Sequence, residues 1–584
     1  MSASPTDGTR KRPAPRGTAA YPRKRANKAC QVCRARRTKC DNKRPACGFC
    51  EKAGTTCTWA PQDLSSFDPA SLAILERFDR LESLLFSSGK ASPSEVQTSP
   101  GIAAASSSSR KEGDSRLGCV QGSLINVRLE AVLQWEPIRD LVNSVVPPTK
   151  MVCSPATSFQ QAGNLSDEFN MSTCNALLEN FWSGVHSKNP ILNKDEIKRF
   201  MHQVCLDGIS WDAQSCLVLL ICALGTLATE FGPTSPTHGE VHDLKASDRR
   251  RVAQAQQYFA ASQKRLGVCL GKRGILEAQC FFYCGVYLST MMRPESAWSM
   301  FLQALACCQG FRCLAQAGLD VGSSSPPDHV LDSIAVAEES TYWTCLKSEI
   351  ESHLDVSPPG FRTIDLWYPR KFPDPPRNSI TDTDRSWFFY LAEIALRRLA
   401  NRIMAFISKG LDLSIPQETQ SAYESAAEFE QEAQDWVQSL PSPNELERYQ
   451  DDVLNFILKG HLLNCYELIY WPFVNHTING GQRDPASDEY VKKGLQVAAN
   501  RIEINQPGFK HRHHGTYGMI KSVTRSTFVL LAASHNNGLE DLMPVGWMGL
   551  LPCVDELLEF WEDEIAAAAG WREMMKVLVG EAHN

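Results

Sequence analysis

Six cysteines crowd into a short stretch near the N-terminus: Cys30, Cys33, Cys40, Cys47, Cys50 and Cys57. The segment reads C-x2-C-x6-C-x6-C-x2-C-x6-C, two equivalent halves placed end to end. Thiolates at this density are zinc ligands, and zinc closes its structural sites with four of them in a tetrahedron. Two such ions ask for eight ligands where six exist, so two cysteines must bridge. Sharing one ligand from each half lets about thirty residues fold around two zinc ions without an apolar core, because metal binding supplies the folding free energy. A disulfide framework belongs to an oxidising compartment, whereas a metal store has no use for the arginines interleaved here.

Those basic residues are the second element of chemistry. Arg34, Arg36, Arg37 and Lys39 lie between the second and third cysteines, with Lys28, Lys43 and Arg44 close by. The first sixty residues hold fifteen Lys/Arg against Asp7, Asp41 and Glu51, a balance of +12, so the rest of the chain carries -18 of the overall -6. Six thiolates and two zinc ions together leave -2, and the head stays near +10. Such a head is drawn to a polyanion. Double-stranded DNA is the partner expected, since arginine can grip guanine O6 and N7 together. The alternative is a zinc-stabilised interaction scaffold or co-regulator whose basic head meets an acidic protein.

The runs Ala29–Asp41 and Pro45–Cys50 resemble the fungal binuclear zinc-cluster DNA-binding domain, and all six ligand spacings match. The resemblance implies that Cys30 and Cys47 bridge. One zinc is then held by Cys30, Cys33, Cys40 and Cys47, and the other by Cys30, Cys47, Cys50 and Cys57. It also implies a short helix after each of Cys30 and Cys47, a turn at Pro45, and insertion of the first helix into the major groove. Arg36 and Arg37 match the base-reading positions, where the family usually has at least one lysine; Arg34 and Lys39 match phosphate contacts. Carried over, the function is a nuclear regulator of RNA polymerase II transcription, expected to be an activator, reading CGG-like triplets. Its further partners would be the transcription machinery and a small-molecule effector.

The remaining chain must position this head. Residues 1–26 read as a disordered basic arm, 27–60 as the cluster, 61–86 as a tether and short dimerisation helix, 87–116 as a Ser-rich linker, and 117–584 as an all-helical regulatory domain. Ile74, Phe78, Leu81 and Leu85 recur at heptad spacing and predict a homodimer contact, or a helix packed on the body. Arg10, Lys11, Arg12, Arg23, Lys24 and Arg25 form two basic runs suited to nuclear import or to extra phosphate contacts. The polar N-terminus lacks the apolar core of a secretory signal. The longest apolar run, Cys216 to Ala228, is too short to span a bilayer and predicts a buried helix, so no membrane span is expected. The fifteen cysteines outside the cluster fall in apolar segments and are expected as small buried hydrophobes.

In the large C-terminal region, Val252, Ala255, Phe259, Ser262 and Leu266 share one face of a predicted helix, with Ser247 as its cap and Gly267 as its end. The segments around Phe181-Trp182, His186, Pro190–Leu192, Glu338–Trp343, Glu349, Pro358–Gly360 and Arg512–Tyr517 are similar to the middle homology region that follows zinc clusters in many fungal regulators. That similarity implies an all-α fold and no catalysis. No G-x-S-x-G, P-loop, dinucleotide-binding glycine pattern or H-E-x-x-H occurs. His511, His513 and His514 are expected on a surface or helix-entry segment and not as a ligand set, and His186 as a satisfied helix-end histidine. Asp555–Ile565 mixes acids with Leu557, Leu558, Phe560 and Trp561, and suits either an activation surface or an amphipathic helix with its apolar face in the core.

Overall fold

The structure is a computed structural model that describes residues 32, 33, 36, 38, 40, 41, 46–57, 127–145, 169–231, 238–315, 329–356, 382–440 and 452–582. It divides into two units, residues 1–110 and 111–584. The basic arm, the heptad residues Ile74, Phe78, Leu81 and Leu85, the Ser-rich linker and Pro358–Gly360 lie outside the described residues.

The first unit contains one short helix, α1 (Gly48–Lys52). Every regular element described in the second unit is helical: α2 (Leu129–Val132), α3 (Arg139–Val145), α4 (Met171–Gly184), α5 (Lys194–Asp207), α6 (Ala213–Leu227), α7 (His238–Leu266), α8 (Ile275–Thr290), α9 (Pro294–Cys307), α10 (Arg312–Ala315), α11 (His329–Val356), α12 (Asp382–Ile407), α13 (Pro416–Ser439), α14 (Val453–Ile478), α15 (Pro485–Asn505), α16 (Thr516–Ser534), α17 (Leu551–Trp561) and α18 (Ala566–Ala582), with short 3-10 turns between them.

A body of this size exceeds what one core serves, and it builds two. The first gathers α4 to α9 with part of α11, and the second gathers α2, α3 and α13 to α18. Helix α12 belongs to both. Its Trp387, Tyr390 and Ile394 enter the first core, while Phe389, Leu396, Leu399 and Ile403 enter the second.

Local sequence explains where helices begin. Asn193 caps α5 by accepting from Asp195 N and Glu196 N, both at 3.0 Å, and Asp212 caps α6 by accepting from Ser215 N at 2.7 Å. Asp484 accepts from Ala486 N and Ser487 N ahead of α15, where Pro485 sits at the first turn that tolerates it.

The apolar run Cys216–Ala228 forms the greater part of α6, in which Cys216–Leu227 are all buried, and Ala228 is its extended C-cap. Among the described residues no helix is long and apolar enough to cross a membrane. Gly225 lets α6 cross α4 closely, because a Cβ there would lie 2.1 Å from Leu177 O. Outside the cluster, Cys174, Cys216, Cys222, Cys269, Cys280, Cys284, Cys307, Cys308, Cys345 and Cys465 are buried, and Cys205 and Cys553 are half-buried.

One boundary differs from its sequence reading. Helix α7 starts at His238 and runs through Ser247, which is therefore not its cap. Side chains around Ser247 dock the extra turns: Lys245 donates to Glu559 O at 3.2 Å, Arg249 pairs with Asp563 at 2.8 Å, and Asp248 accepts from Arg512. A serine inside a helix costs little when such contacts hold it. Ala255, Phe259 and Ser262 are buried as its 3-4 spacing predicts, and the α-helix ends at Leu266, just before Gly267.

Candidate metal centre and nucleic-acid interface

Among the described residues of the first unit, five of the six cluster cysteines come together in two overlapping triads. The Sγ atoms of Cys33, Cys40 and Cys47 all lie within 4.8 Å of one another, and so do those of Cys47, Cys50 and Cys57. Cys47 is common to both. Cys30 lies outside the described residues.

Cys33 Sγ and Cys47 Sγ are 3.6 Å apart, too far for a disulfide and close to the ~3.8 Å edge of a tetrahedron built on zinc–sulfur bonds of about 2.3 Å. Cys33, Cys47 and Cys50 are fully buried. The donor set and its spacing therefore fit two zinc ions sharing a ligand.

The backbone repeats with the cysteines. Each ligand of the first half recurs seventeen residues later, and so do the hydrogen bonds that turn the chain around it. Arg36 N donates to Val32 O and Ala53 N to Phe49 O, each at 3.0 Å; Thr38 N donates to Cys33 O and Thr55 N to Cys50 O, each also at 3.0 Å.

In the second half these bonds close α1, with Gly54 in the left-handed region at φ +59° and its N–H on Glu51 O. The pair of bonds from Thr55 and Gly54 is the Schellman arrangement that favours glycine at that position. Val32 and Cys33 are helical in the first half, which matches the helical turn expected after Cys30.

Asp41 joins the halves. Its carboxylate accepts from Gly48 N at 3.1 and 3.2 Å, at the start of α1. A side chain at position 48 would meet this carboxylate, since a Cβ would lie 2.8 Å from Asp41 Oδ2. Asp41 was not among the residues singled out from sequence. Its signal was available: a lone acid directly after the third ligand in a strongly basic stretch.

Arg36 is fully described and exposed, in the turn that follows the first helical residues. Lys28, Arg34, Arg37, Lys39, Lys43 and Arg44 lie outside the described residues, as do Arg10, Lys11, Arg12, Arg23, Lys24 and Arg25.

The histidines of the second unit behave differently. His186 follows α4 in a buried 3-10 turn, with Nε2 3.3 Å from both Leu192 N and Leu192 O. Burial pushes its pKa down to about 3. It is the satisfied helix-end histidine its sequence suggested.

His511, His513 and His514 lie on the segment that leads into α16, as expected, but Arg512 and His513 are buried and His511 and His514 half-buried. Arg512 draws the segment inward, pairing with Asp248 and Glu564 at 2.5 Å each and donating to Thr290 O at 3.0 Å. Burial lowers His511 to about 3 and His514 to about 4. Among the described residues these histidines do not converge as a metal site.

The acidic-apolar segment is resolved between its two alternatives. Leu557, Leu558 and Trp561 on α17 are buried, and Trp561 Nε1 donates to Phe509 O at 2.7 Å, so the apolar face lies in the core.

Residues 28–66 match the fungal Zn(2)-Cys(6) binuclear cluster domain. Over a much longer span, the chain is 26% identical across 499 residues to a protein of Aspergillus rugulosus named "Putative transcription factor ecdB". That alignment covers 81% of this chain and 82% of the relative.

Proposed function

With residues 28–66 belonging to the fungal Zn(2)-Cys(6) binuclear cluster family, whose domain binds two zinc ions, we propose that this protein is a sequence-specific DNA-binding regulator of RNA polymerase II transcription acting in the nucleus. The observation that carries the proposal is Cys47, common to two thiol triads, with Arg36 exposed three residues after Cys33. A compact pair of cations there holds a short basic helix rigid with almost no apolar core. Rigidity is what a two-pronged contact to a base edge requires.

Within this reading Cys30 joins Cys47 as the second bridge. Arg36 and Arg37 read a CGG-like triplet, and Lys28, Arg34, Lys39, Lys43 and Arg44 neutralise phosphates. Ile74, Phe78, Leu81 and Leu85 pair two chains, so that target sites contain two triplets. The basic runs Arg10–Arg12 and Arg23–Arg25 direct import. The helical body receives an effector and contacts the transcription machinery, and activation is the expected output. The relative's name as a transcription factor supports the same assignment.

The test is binding of the zinc-loaded full chain to a duplex containing CGG against one with the triplet scrambled, across a salt series and with a chelator. Zinc-dependent binding that prefers the triplet and weakens steeply with salt is expected. Binding that ignores the triplet and survives Arg36→Ala would replace this reading by the scaffold alternative. A reporter placed behind the selected site then gives the sign of regulation: a rise with the protein present is the expected result.

A further inference from the structure

A cavity of about 670 Å³ opens where the two cores of the helical body face each other. Thr229 and Glu230, just past α6, and Leu244, Asp248 and Arg251 on α7 line it from the side of the first core. Across from them the lining comes from α14, the end of α15, the segment ahead of α16, and α17. A space of this size is far larger than a water pocket and falls among the sites of about 300–1,000 Å³ that take drug-sized organic ligands.

The charged part of the wall is already engaged with itself. Four carboxylates and four cations line the cavity, so formal charge cancels within the lining. Arg512 pairs with Asp248 and Glu564 at 2.5 Å each, Arg251 pairs with the same Asp248 at 3.3 Å, and Lys510 lies 4.0 Å from Glu556. Glu230 and Glu503 are exposed carboxylates of the same lining. A charged ligand would have to shed its hydration against a wall with no excess of the opposite sign, which is costly.

The uncharged part of the wall is apolar and incompletely covered. Leu244 is exposed and Ile504 and Phe560 are half-buried, beside the buried Phe456, Phe509 and Leu557. Apolar side chains in this state gain free energy in proportion to the area that a ligand takes out of water. His511 adds a neutral aromatic face: burial pushes its pKa down to about 3, and its ring meets that of Phe231 edge-on at 5.1 Å. One polar handle is left on the lining, because Arg251 Nε is buried with no hydrogen-bond partner among the described residues. An N–H of this kind is a donor for a ligand oxygen.

We propose that this cavity is a binding site for a neutral, largely apolar organic molecule of about drug size, with an oxygen that accepts from Arg251. Its occupant would touch the Asp248–Arg512 pair, which joins α7 of the first core to the segment ahead of α16 in the second. Lys245 and Arg249 bind Glu559 O and Asp563 from the same helix, so α7 is the element through which occupancy bears on how the cores are held together. As an effector site it rests on the regulatory reading above and gives that effector a chemical class. Binding itself is tested without DNA, so failure of either proposal leaves the other standing.

The experiment is fluorescence titration of the zinc-loaded full chain with Nile red, a neutral aromatic ketone. Cationic Nile blue, which has the same ring system, and anionic anilinonaphthalene sulfonate form separate arms. Saturable Nile red binding is expected, tighter than that of either charged dye by about tenfold or more. Cys553, a half-buried thiol of the lining, locates the dye: bound Nile red should slow its alkylation by iodoacetamide, read by peptide mass spectrometry, and leave half-buried Cys205 on α5, outside the lining, unchanged. Leu244→Glu places a charge at an already exposed position of the wall, and Ile504→Trp fills the space; each should weaken Nile red binding by about tenfold or more. Val545→Glu, at a fully exposed apolar residue outside the lining, should not change it. Absence of saturable Nile red binding would overturn the proposal, as would alkylation of Cys553 that the dye does not slow, or an equal effect of all three variants. Tighter binding of Nile blue or of the sulfonate would overturn the neutral assignment.

Discussion

The two regions of this protein reach order by opposite routes. Among the described residues of the head, the fully buried side chains are Cys33, Cys47 and Cys50, with Val32, Cys40, Phe49 and Cys57 partly covered around them. A segment this small cannot bury enough apolar surface to offset the entropy of ordering its chain, so metal must supply the difference. The body instead buries whole helices, as in the run Cys216–Leu220, where every side chain is fully covered. Cysteine occurs in both regions, yet in the head it is a ligand and in the body a small hydrophobe. The lesson is that residue type says less than spacing, since only the head repeats its cysteines at the same interval as its backbone hydrogen bonds.

That contrast breaks most sharply at Cys47. Because Cys47 belongs to both triads, Cys47→Ser should release both zinc ions, whereas Cys33→Ser leaves the Cys47, Cys50 and Cys57 triad intact. Metal analysis should find Cys47→Ser with clearly less zinc per chain than Cys33→Ser, and DNA affinity at least ~100-fold down. The far-UV helical signal, which comes from the body, should hardly move. Equal zinc in the two variants would rule out a shared ligand.

Acid should unfold both regions, for different reasons. In the body, burial keeps His186 and His511 neutral down to about 3 and His514 to about 4. Unfolded histidine titrates near 6.5, so between about pH 6.5 and 4 the unfolded chain binds more protons, and stability falls as pH drops through that window. In the head, protons compete with zinc for thiolates. Denaturant unfolding at pH 7 and pH 5 with excess zinc separates the two, because zinc should rescue the head and leave the body's loss unchanged.

A third effect is confined to the body. Burial raises the pKa of Glu467, but Arg525 and Arg501 outweigh it and hold the carboxyl below its usual range. Glu467→Gln would remove the carboxylate that pairs with both Arg501 and Arg525, and breaking a buried ion pair in this way costs about 3–5 kcal/mol. Chemical denaturation should show this loss while zinc content and DNA affinity stay at their unaltered values. A smaller change sharpens the head: Arg36→Ala should weaken binding to a CGG duplex by ~1–3 kcal/mol and relax preference at one base pair. Weakening that is equal on all sequences would assign Arg36 to phosphate instead.

Much of this was legible in the sequence because spacing is geometry. Six cysteines at fixed intervals announced a shared-ligand cluster, and an apolar run of thirteen residues announced a buried helix. The interior charges were harder to read. Glu393 and Glu467 each sit alone in an apolar stretch, a sign of a buried partner, but the partners Lys347, Arg501 and Arg525 are brought to them by tertiary packing from other helices. The depth of Arg512 was hidden for the same reason, since Asp248 and Glu564 reach it from α7 and from beyond α17.

The start of α7 shows how tertiary contact outweighs a local signal, and it yields the smallest prediction. Asn193 and Ser247 look alike in sequence, a short polar residue ahead of an amphipathic stretch. Asn193 is a working cap, accepting two backbone hydrogen bonds at 3.0 Å, whereas Ser247 lies inside a helix already under way. Asn193→Ala should therefore cost about 1 kcal/mol, while Ser247→Ala should be neutral or stabilise by up to ~0.5 kcal/mol, because alanine is the better interior helix former. Equilibrium denaturation of the two variants side by side measures the difference. Equal losses would mean that the helix begins at Ser247 after all, and that Lys245 and Arg249 do not hold the earlier turns in solution.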